Sequence, residues 1–297
     1  MKTSPLITTR AELRQFLKQW RQAQPDGIVG LVPTMGYLHA GHRALLEAAR
    51  QASDLLICSI FVNPLQFNDS ADFNNYPKSI TQDRELCQTS GVDLIFAPPA
   101  EEMYSTKPLL QLAMPDLTGN LCGPGRPGHF EGVLMVVARL FHLCQPDKAW
   151  FGKKDYQQLL VIRQLAQDLD MNITIIGLPT VREASGLAMS SRNAHLSPRG
   201  REHASLIYRS LELARKEFLD GCTNAAELIE ICKDVIQSGT LNRVEYLEIV
   251  DARSLAPLSR LQSDSHFVIA TAVFCEQTRL IDNIEILSHP DPEANSL

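Results

Sequence analysis

Apolar runs and helically spaced apolar residues alternate along the first half of the chain. Residues 10–24 (RAELRQFLKQWRQAQ) predict a helix, 27–35 (GIVGLVPTM) an apolar strand and 43–52 (RALLEAARQA) a second helix. A buried strand over 54–62 (DLLICSIFV) runs into a polar loop, 63–77, and then a helix over 80–90 that Gly91 ends. A third strand covers 92–99 (VDLIFAPP), and HFEGVLMVVARLFHLC at 129–144 has the 3.6-residue apolar spacing of an amphipathic helix. A short strand at 147–152, a helix at 155–169 and a strand at 172–181 complete the series. Strands this apolar are buried on both faces. Their alternation with helices implies an α/β parallel sheet, with phosphate ligands at the C-terminal ends of the strands.

The texture changes near residue 182. Residues 182–200 (REASGLAMSSRNAHLSPRG) are small and polar and predict a long loop, expected to be mobile around Met189–Arg192, whose donors have no obvious internal partners. Two helices follow at 200–219 and 224–237, then three more alternating strands at 244–252, 266–274 and 278–287. Helices followed by strands predict a smaller α+β domain, which divides the chain into 1–182 and 183–297. The tail, 288–297, predicts disorder, and no internal repeat is present.

Composition narrows the function classes. The chain has 297 residues, 44% hydrophobic and 21% charged, ordinary for a globular protein with a sizeable core. A net charge of −6 argues against a general nucleic-acid binder, which needs a basic field. Apolar stretches such as 133–138 are too short to span a bilayer, and the first residues show no apolar signal core. Seven scattered cysteines without a C-x-x-C pair suggest buried thiols in a reducing compartment, so a cytoplasmic protein is expected.

The candidate chemistry begins at PTMGYLHAGH, 33–42, where a strand hands over to a helix. The first turn of a helix has unpaired N–H groups and a partial positive charge, which suits phosphate. Gly36 and Gly41 allow close approach to the backbone, and His39 and His42 are placed to donate to phosphate oxygens. Taken alone, the same residues also suit an ordinary turn with solvated or capping histidines. Neither a Walker A loop nor a G-x-G-x-x-G is present. No His/Cys/Asp cluster has the spacing of a structural metal site.

LVPTMGYLHAGH resembles the H-x-G-H signature of the nucleotidyltransferase superfamily. SIFVNPLQF, RPGHFEGV, FGKKDYQQL, VREASGLAMSSRN and RLIDN follow in order. Together they resemble the pantothenate synthetase (pantoate–β-alanine ligase) family, from about residue 28 to about 285. The resemblance implies a Rossmann-like nucleotidyltransferase domain that binds nucleotide and pantoate, followed by a C-terminal lid domain. It implies ATP- and Mg²⁺-dependent adenylation of pantoate, then attack by the β-alanine amine, releasing pantothenate and AMP. It also implies a homodimer, as would an exposed apolar edge on a parallel sheet.

Residue by residue, the resemblance places Met35, Gly36, Tyr37, Leu38, His39, Ala40, Gly41 and His42 at ATP, with His42 the proton donor. Gly152, Lys153, Lys154 and Asp155 are the second ATP contact, with Asp155 on the ribose, and Val181, at a strand end, meets adenine through its backbone. Met189, Ser190, Ser191 and Arg192 close over the triphosphate, where arginine donates bidentately. His42, His39, Lys154 and Arg192 are the catalytic candidates. Gln66 and Gln158 recognise pantoate, Gln66 also β-alanine, and Asn63, Tyr76, Arg126 and His129 lie in matching blocks. Mg²⁺ is expected through ATP phosphates, with no protein metal site. Lys153 stands where many relatives carry an acid. Outside the resemblance, a lysine pair after a strand, a Ser-Ser-Arg loop and a polar helical glutamine each have ordinary solvated readings. A plain nucleotidyltransferase of the same fold and a non-catalytic nucleotide binder therefore stay open. The first lacks an amide product. The second is expected to lose a histidine or the MSSR arginine, and all are present.

Overall fold

The computed structural model describes residues 4–68, 70–106 and 108–287, so the 288–297 tail lies outside the described residues. Backbone contacts divide the chain into two compact units. The first comprises Met1–Pro115, Arg126–Lys153 and Gln158–Val181, and the second Asp116–Gly125, Lys154–Gln157 and Arg182–Leu297. Two short stretches ahead of residue 182 thus cluster with the second unit.

In chain order the elements are β1 (Leu6–Ile7), α1 (Arg10–Ala23), β2 (Val29–Thr34), α2 (Ala40–Gln51), β3 (Leu55–Ile60), α3 (Ser70–Asn74) and α4 (Ile80–Thr89). Next come β4 (Leu94–Phe96), α5 (Ala100–Met103), α6 (Pro115–Thr118), α7 (Cys122–Gly125), α8 (His129–Cys144), β5 (Lys148–Gly152), α9 (Tyr156–Asp168) and β6 (Thr174–Leu178). The chain ends with α10 (Pro198–Leu219), α11 (Ala225–Gln237), β7 (Asn242–Asp251), β8 (Phe267–Cys275) and β9 (Thr278–Ile286).

The first unit holds the expected parallel sheet, in the order β1-β4-β3-β2-β5-β6. Most of β2 and β3 is buried on both faces, which is why they read as unbroken apolar runs. Val32, Leu46, Cys58, Cys87, Ile95 and Trp150 form one of its core clusters. The N-terminal ends of the strands are tied down by carboxylates. Asp147 accepts from the backbone N–H of Val29 at 2.7 Å and from Arg21 at 2.8 Å, and Asp93 accepts from Leu56 N at 2.9 Å and pairs with Arg50. From β2 the chain winds outward through β3 and β4, then returns to place β5 on the other side of β2. That reversal is a topological switch point, and in open sheets of this kind ligands bind at the C-terminal ends of the strands beside it. β2 leads there into the H-x-G-H turn and β5 into Lys153.

The elements depart from the sequence pattern in three places. β1 is a two-residue edge strand, too short to show any period, and is set by pairing with β4. The polar loop at 63–77 contains a 3₁₀ turn, Pro64–Gln66, as well as α3. β6 stops at Leu178, because Pro179 has no N–H to continue the ladder; Val181 lies three residues past the strand instead of at its end.

The second unit is the expected α+β arrangement, with an antiparallel sheet ordered β7-β8-β9. α10 and α11 pack on one face through Leu211, Leu228 and Cys232, against Phe267, Ile269 and Ile286. The alternation expected of β8 does not hold. Eight of its nine residues are buried, since it is the central strand and both its faces are covered. All seven cysteines are free. Among the described residues no helix is long and apolar enough to cross a membrane.

Candidate active site

Thr34 ends β2, and the chain then turns through Gly36 (φ 82°) and Tyr37 (φ 52°) into α2. His39 is the N-cap of that helix: its Nδ1 accepts from Gly41 N at 3.1 Å. His42 reaches back, its Nδ1 accepting from His39 N at 3.2 Å, and the two rings stand 4.1 Å apart. A ring nitrogen that accepts carries no hydrogen, so each neutral imidazole has its proton on Nε2. The capping and phosphate-donor readings of the pair are thus compatible, because they use different nitrogens.

The turn rests on a carboxylate that the sequence reading did not pick out. Asp83, on α4, is 2% exposed and accepts from Tyr37 N at 3.0 Å and Leu38 N at 2.7 Å. A side chain at position 36 would press on it: a Cβ there would lie 3.0 Å from Asp83 Oδ2 and 3.1 Å from Ile60 Cγ2. Burial raises the Asp83 pKa above its ordinary 3.8, against the two backbone N–H bonds, which lower it. The available signal was an acid four residues before the apolar Cys87, on the buried face of α4. Asp83→Asn puts an N–H₂ against one of the two backbone donors and is expected to cost about 1–3 kcal/mol in urea unfolding at pH 7. Because the folded pKa is raised, the stability that protonation of Asp83 gives is fully present below 3.8. It is lost as pH rises through the folded value, so the gap between wild type and variant narrows in that direction.

Gln66 is built into a buried amide cluster. Asn63, 1% exposed, donates through Nδ2 to Gln66 Oε1 at 3.1 Å and to the Gly132 carbonyl at 3.0 Å. Gln66 Nε2 lies 3.1 Å from Met35 Sδ, which joins this cluster to the chain leaving β2. The close approach depends on Gly132 in α8, where a Cβ would meet the Leu65 carbonyl at 2.3 Å. His129 Nδ1 is 2.8 Å from the Gln66 carbonyl and its Nε2 is 3.0 Å from Arg126 Nη1. Arginine only donates, so Nε2 accepts and Nδ1–H donates to Gln66. Arg126 Nη2 reaches the same carbonyl at 3.3 Å. Arg126 and His129 therefore fix the backbone of Gln66. Tyr104, also absent from the sequence reading, donates to Asn63 Oδ1 at 3.0 Å; burial pushes its pKa up to about 12, so it stays protonated. Tyr76 packs edge-on to Phe67 at 5.8 Å.

Gln158 is half-buried at the third position of α9. Its neighbour Gln157 has its amide committed within the second unit. It accepts from Cys122 N at 3.0 Å and donates to the carbonyls of Leu117 at 2.9 Å and Asn120 at 3.0 Å.

Gly152 ends β5, and Lys153–Asp155 form a 3₁₀ turn. Lys154 Nζ is 4.0 Å from the exposed Asp155 carboxylate. Ser190 caps a further 3₁₀ turn, Ser191–His195, by accepting from Arg192 N at 3.2 Å. The loop that carries Met189–Arg192 is tied down beside these four residues. Asn193 Nδ2 donates to Glu183 at 2.8 Å and to the Ala188 carbonyl at 3.0 Å, and Arg201 bridges Glu183 at 3.0 Å and the Asn193 carbonyl at 2.8 Å. The first unit thus brings together Met35, Asn63, Gln66, Arg126 and His129 and pairs His39 with His42. The second holds Lys154, Asp155 and the MSSR turn.

The family model of pantoate-beta-alanine ligase matches residues 5–285. The chain belongs to the pantoate–β-alanine ligase family. Ligases of this family form a C–N bond. The curated pantothenate synthetase of Leptospira biflexa serovar Patoc is 46% identical over 286 residues, 96% of this chain and 99% of that one. The crystal structure of pantothenate synthetase from Thermus thermophilus matches with a TM-score of 0.86 at 44% identity, covering 96% of this chain and 99% of that one. The pantoate-beta-alanine ligase of Francisella tularensis, complexed with beta-gamma ATP and beta-alanine, matches with a TM-score of 0.77 at 32% identity, covering 97% and 99%.

Proposed function

We propose that this chain condenses pantoate with β-alanine at the expense of ATP, through a pantoyl-adenylate intermediate, releasing AMP and pyrophosphate. The observation that carries the proposal is the family match over 5–285 joined to the H-x-G-H turn, which leaves β2 at the switch point of the sheet. A free carboxylate is a poor acyl donor, because its leaving group is oxide; adenylation supplies a better one, and the amine then attacks. Such chemistry needs positioning and hydrogen-bond donors, with no covalent enzyme intermediate.

In this account the α2 N-terminus and the Nε2–H groups of His39 and His42 face the phosphates. Met35–His42, Gly152–Asp155, Val181 and Met189–Arg192 line the nucleotide, and Lys154 and Arg192 supply positive charge to the transferring group. Gln66 and Gln158 orient pantoate by its hydroxyls, with Asn63 and Tyr76 beside them. Arg126 and His129 serve by holding Gln66 in place. Among the described residues no three His, Cys, Asp or Glu side chains gather into a metal cage. Magnesium is expected to arrive on the triphosphate and to neutralise its charge there. Residues 1–182 would act as the nucleotide- and pantoate-binding domain and 183–297 as the lid.

Incubation with ATP, Mg²⁺, pantoate and β-alanine is expected to yield pantothenate and AMP in equal amounts. A nucleotide-bearing product with no amide would make the chain a plain nucleotidyltransferase. We place the enzyme in the cytosol as a homodimer. Light scattering at micromolar concentration is expected to give twice the mass of one chain, and a clean monomer would contradict the dimer.

A further inference from the structure

The RLIDN stretch, 279–283, has no part in the account above, yet it lies within β9, paired along its length with β8. Asp282 and Asn283 are both buried, at 4% and 7% exposure. Successive residues of a strand point to opposite faces. Asp282 points to the α10 side, where it grips Arg182 in a fork, at 2.6 Å and 3.0 Å. The same guanidinium stacks 3.6 Å from the centre of the Tyr208 ring and donates to the Gly186 carbonyl at 3.1 Å and the Asn283 carbonyl at 3.3 Å. Asn283 points to the other face, where its Nδ2 donates to the Lys154 carbonyl at 2.8 Å. On that face Glu285 accepts from Tyr156 at 3.1 Å, so both Lys154 and Tyr156 are fastened to β9.

Arg182 follows Val181 in the chain and opens the loop that carries Met189–Arg192. Lys154 belongs to the other nucleotide segment. Two adjacent residues of one strand therefore hold both segments, one from each face of the sheet. We propose that Asn283 is a positioning residue for nucleotide binding. Through the Lys154 carbonyl it fixes the direction in which the lysine ammonium leaves the turn, while Asp282 anchors the second segment at Arg182. An amide suits the place. It donates to a carbonyl, stays neutral when buried, and puts no second carboxylate beside Asp282. This rests on the assignment of Lys154 to ATP.

The test uses the full chain with Asn283→Ala, Lys154→Ala and the double variant, measuring KM for each of the three substrates and the unfolding midpoint. Asn283→Ala is expected to raise KM for ATP about tenfold and leave KM for pantoate and β-alanine within about twofold. Lys154→Ala is expected to raise KM for ATP by itself, and adding Asn283→Ala should then change it by less than about threefold, because the two act through one contact. Equal rises in all three KM values, or fully additive effects, would overturn the positioning role. If Lys154→Ala raises KM for ATP and Asn283→Ala does not, the positioning role alone is lost. If Lys154→Ala leaves KM for ATP unchanged, the ATP assignment of Lys154 fails and the proposal with it. Asn283→Ser, which also cannot reach the carbonyl but keeps a polar group, carries the same measurements should the alanine variant not fold.

Discussion

Alanine at position 42 is expected to slow adenylate formation about 10²–10³-fold, the usual loss when one preorganised donor to a transition state is removed. The geometry explains why this effect is mainly kinetic. His42 Nδ1 is occupied by His39 N at 3.2 Å, so the ring is held in one orientation with its proton on Nε2. The donor is therefore aimed before the substrate arrives, and no reorganisation is needed as charge develops. The variant also loses half of the capping box. That adds a stability cost of about 0.5–1.5 kcal/mol, small enough for the protein to remain folded. Single-turnover adenylation and urea unfolding separate the two losses. A folded variant with a near-normal rate would remove His42 from the chemistry.

The largest expected effect on stability belongs to Asp282→Ala. Its carboxylate is buried and makes two short bonds to Arg182, whose guanidinium is also stacked on Tyr208. Removing the acid leaves a cation in a site built for a pair, and breaking one half of a buried pair costs about 3–5 kcal/mol. The attraction itself is worth less, since both ions were desolvated to form it. Replacing both Arg182 and Asp282 with leucine is therefore expected to recover part of the loss. The measurement is the unfolding free energy of the single and double variants. A loss below about 1 kcal/mol for Asp282→Ala would mean that the pair behaves as a solvated surface bridge.

The strand–helix alternation of the first unit was legible because a parallel sheet buried on both faces writes its strands as apolar runs. The order of those strands was not. No local pattern says that β5 returns beside β2, although that reversal is what sets the H-x-G-H turn beside the switch point of the sheet. His39 and His42 were legible as a pair because they sit three residues apart at a helix start. Asp83 was not, because its bonds to Tyr37 and Leu38 join residues more than forty positions apart and only tertiary packing creates them. Asn283 was hidden for the same reason: its partner, Lys154, lies 129 residues away. Arg126 and His129 stood out only as lying in matching blocks, and the sequence could not tell that both heads turn to the backbone carbonyl of Gln66. Small polar residues marked 182–200 as a loop, but not that Asn193 and Arg201 tie it together, since their bonds to Glu183 form only on folding.

In the proposed route the carboxylate is activated before the amine takes part. Exchange of labelled pyrophosphate into ATP tests it most directly, with pantoate and Mg²⁺ present and β-alanine absent. If pantoyl adenylate forms and is held away from water, pyrophosphate can attack it in reverse, so label is expected to enter ATP in a pantoate-dependent manner. Exchange that appears only when β-alanine is added would contradict the stepwise route, and exchange that needs no pantoate would contradict the assignment of the site to pantoate.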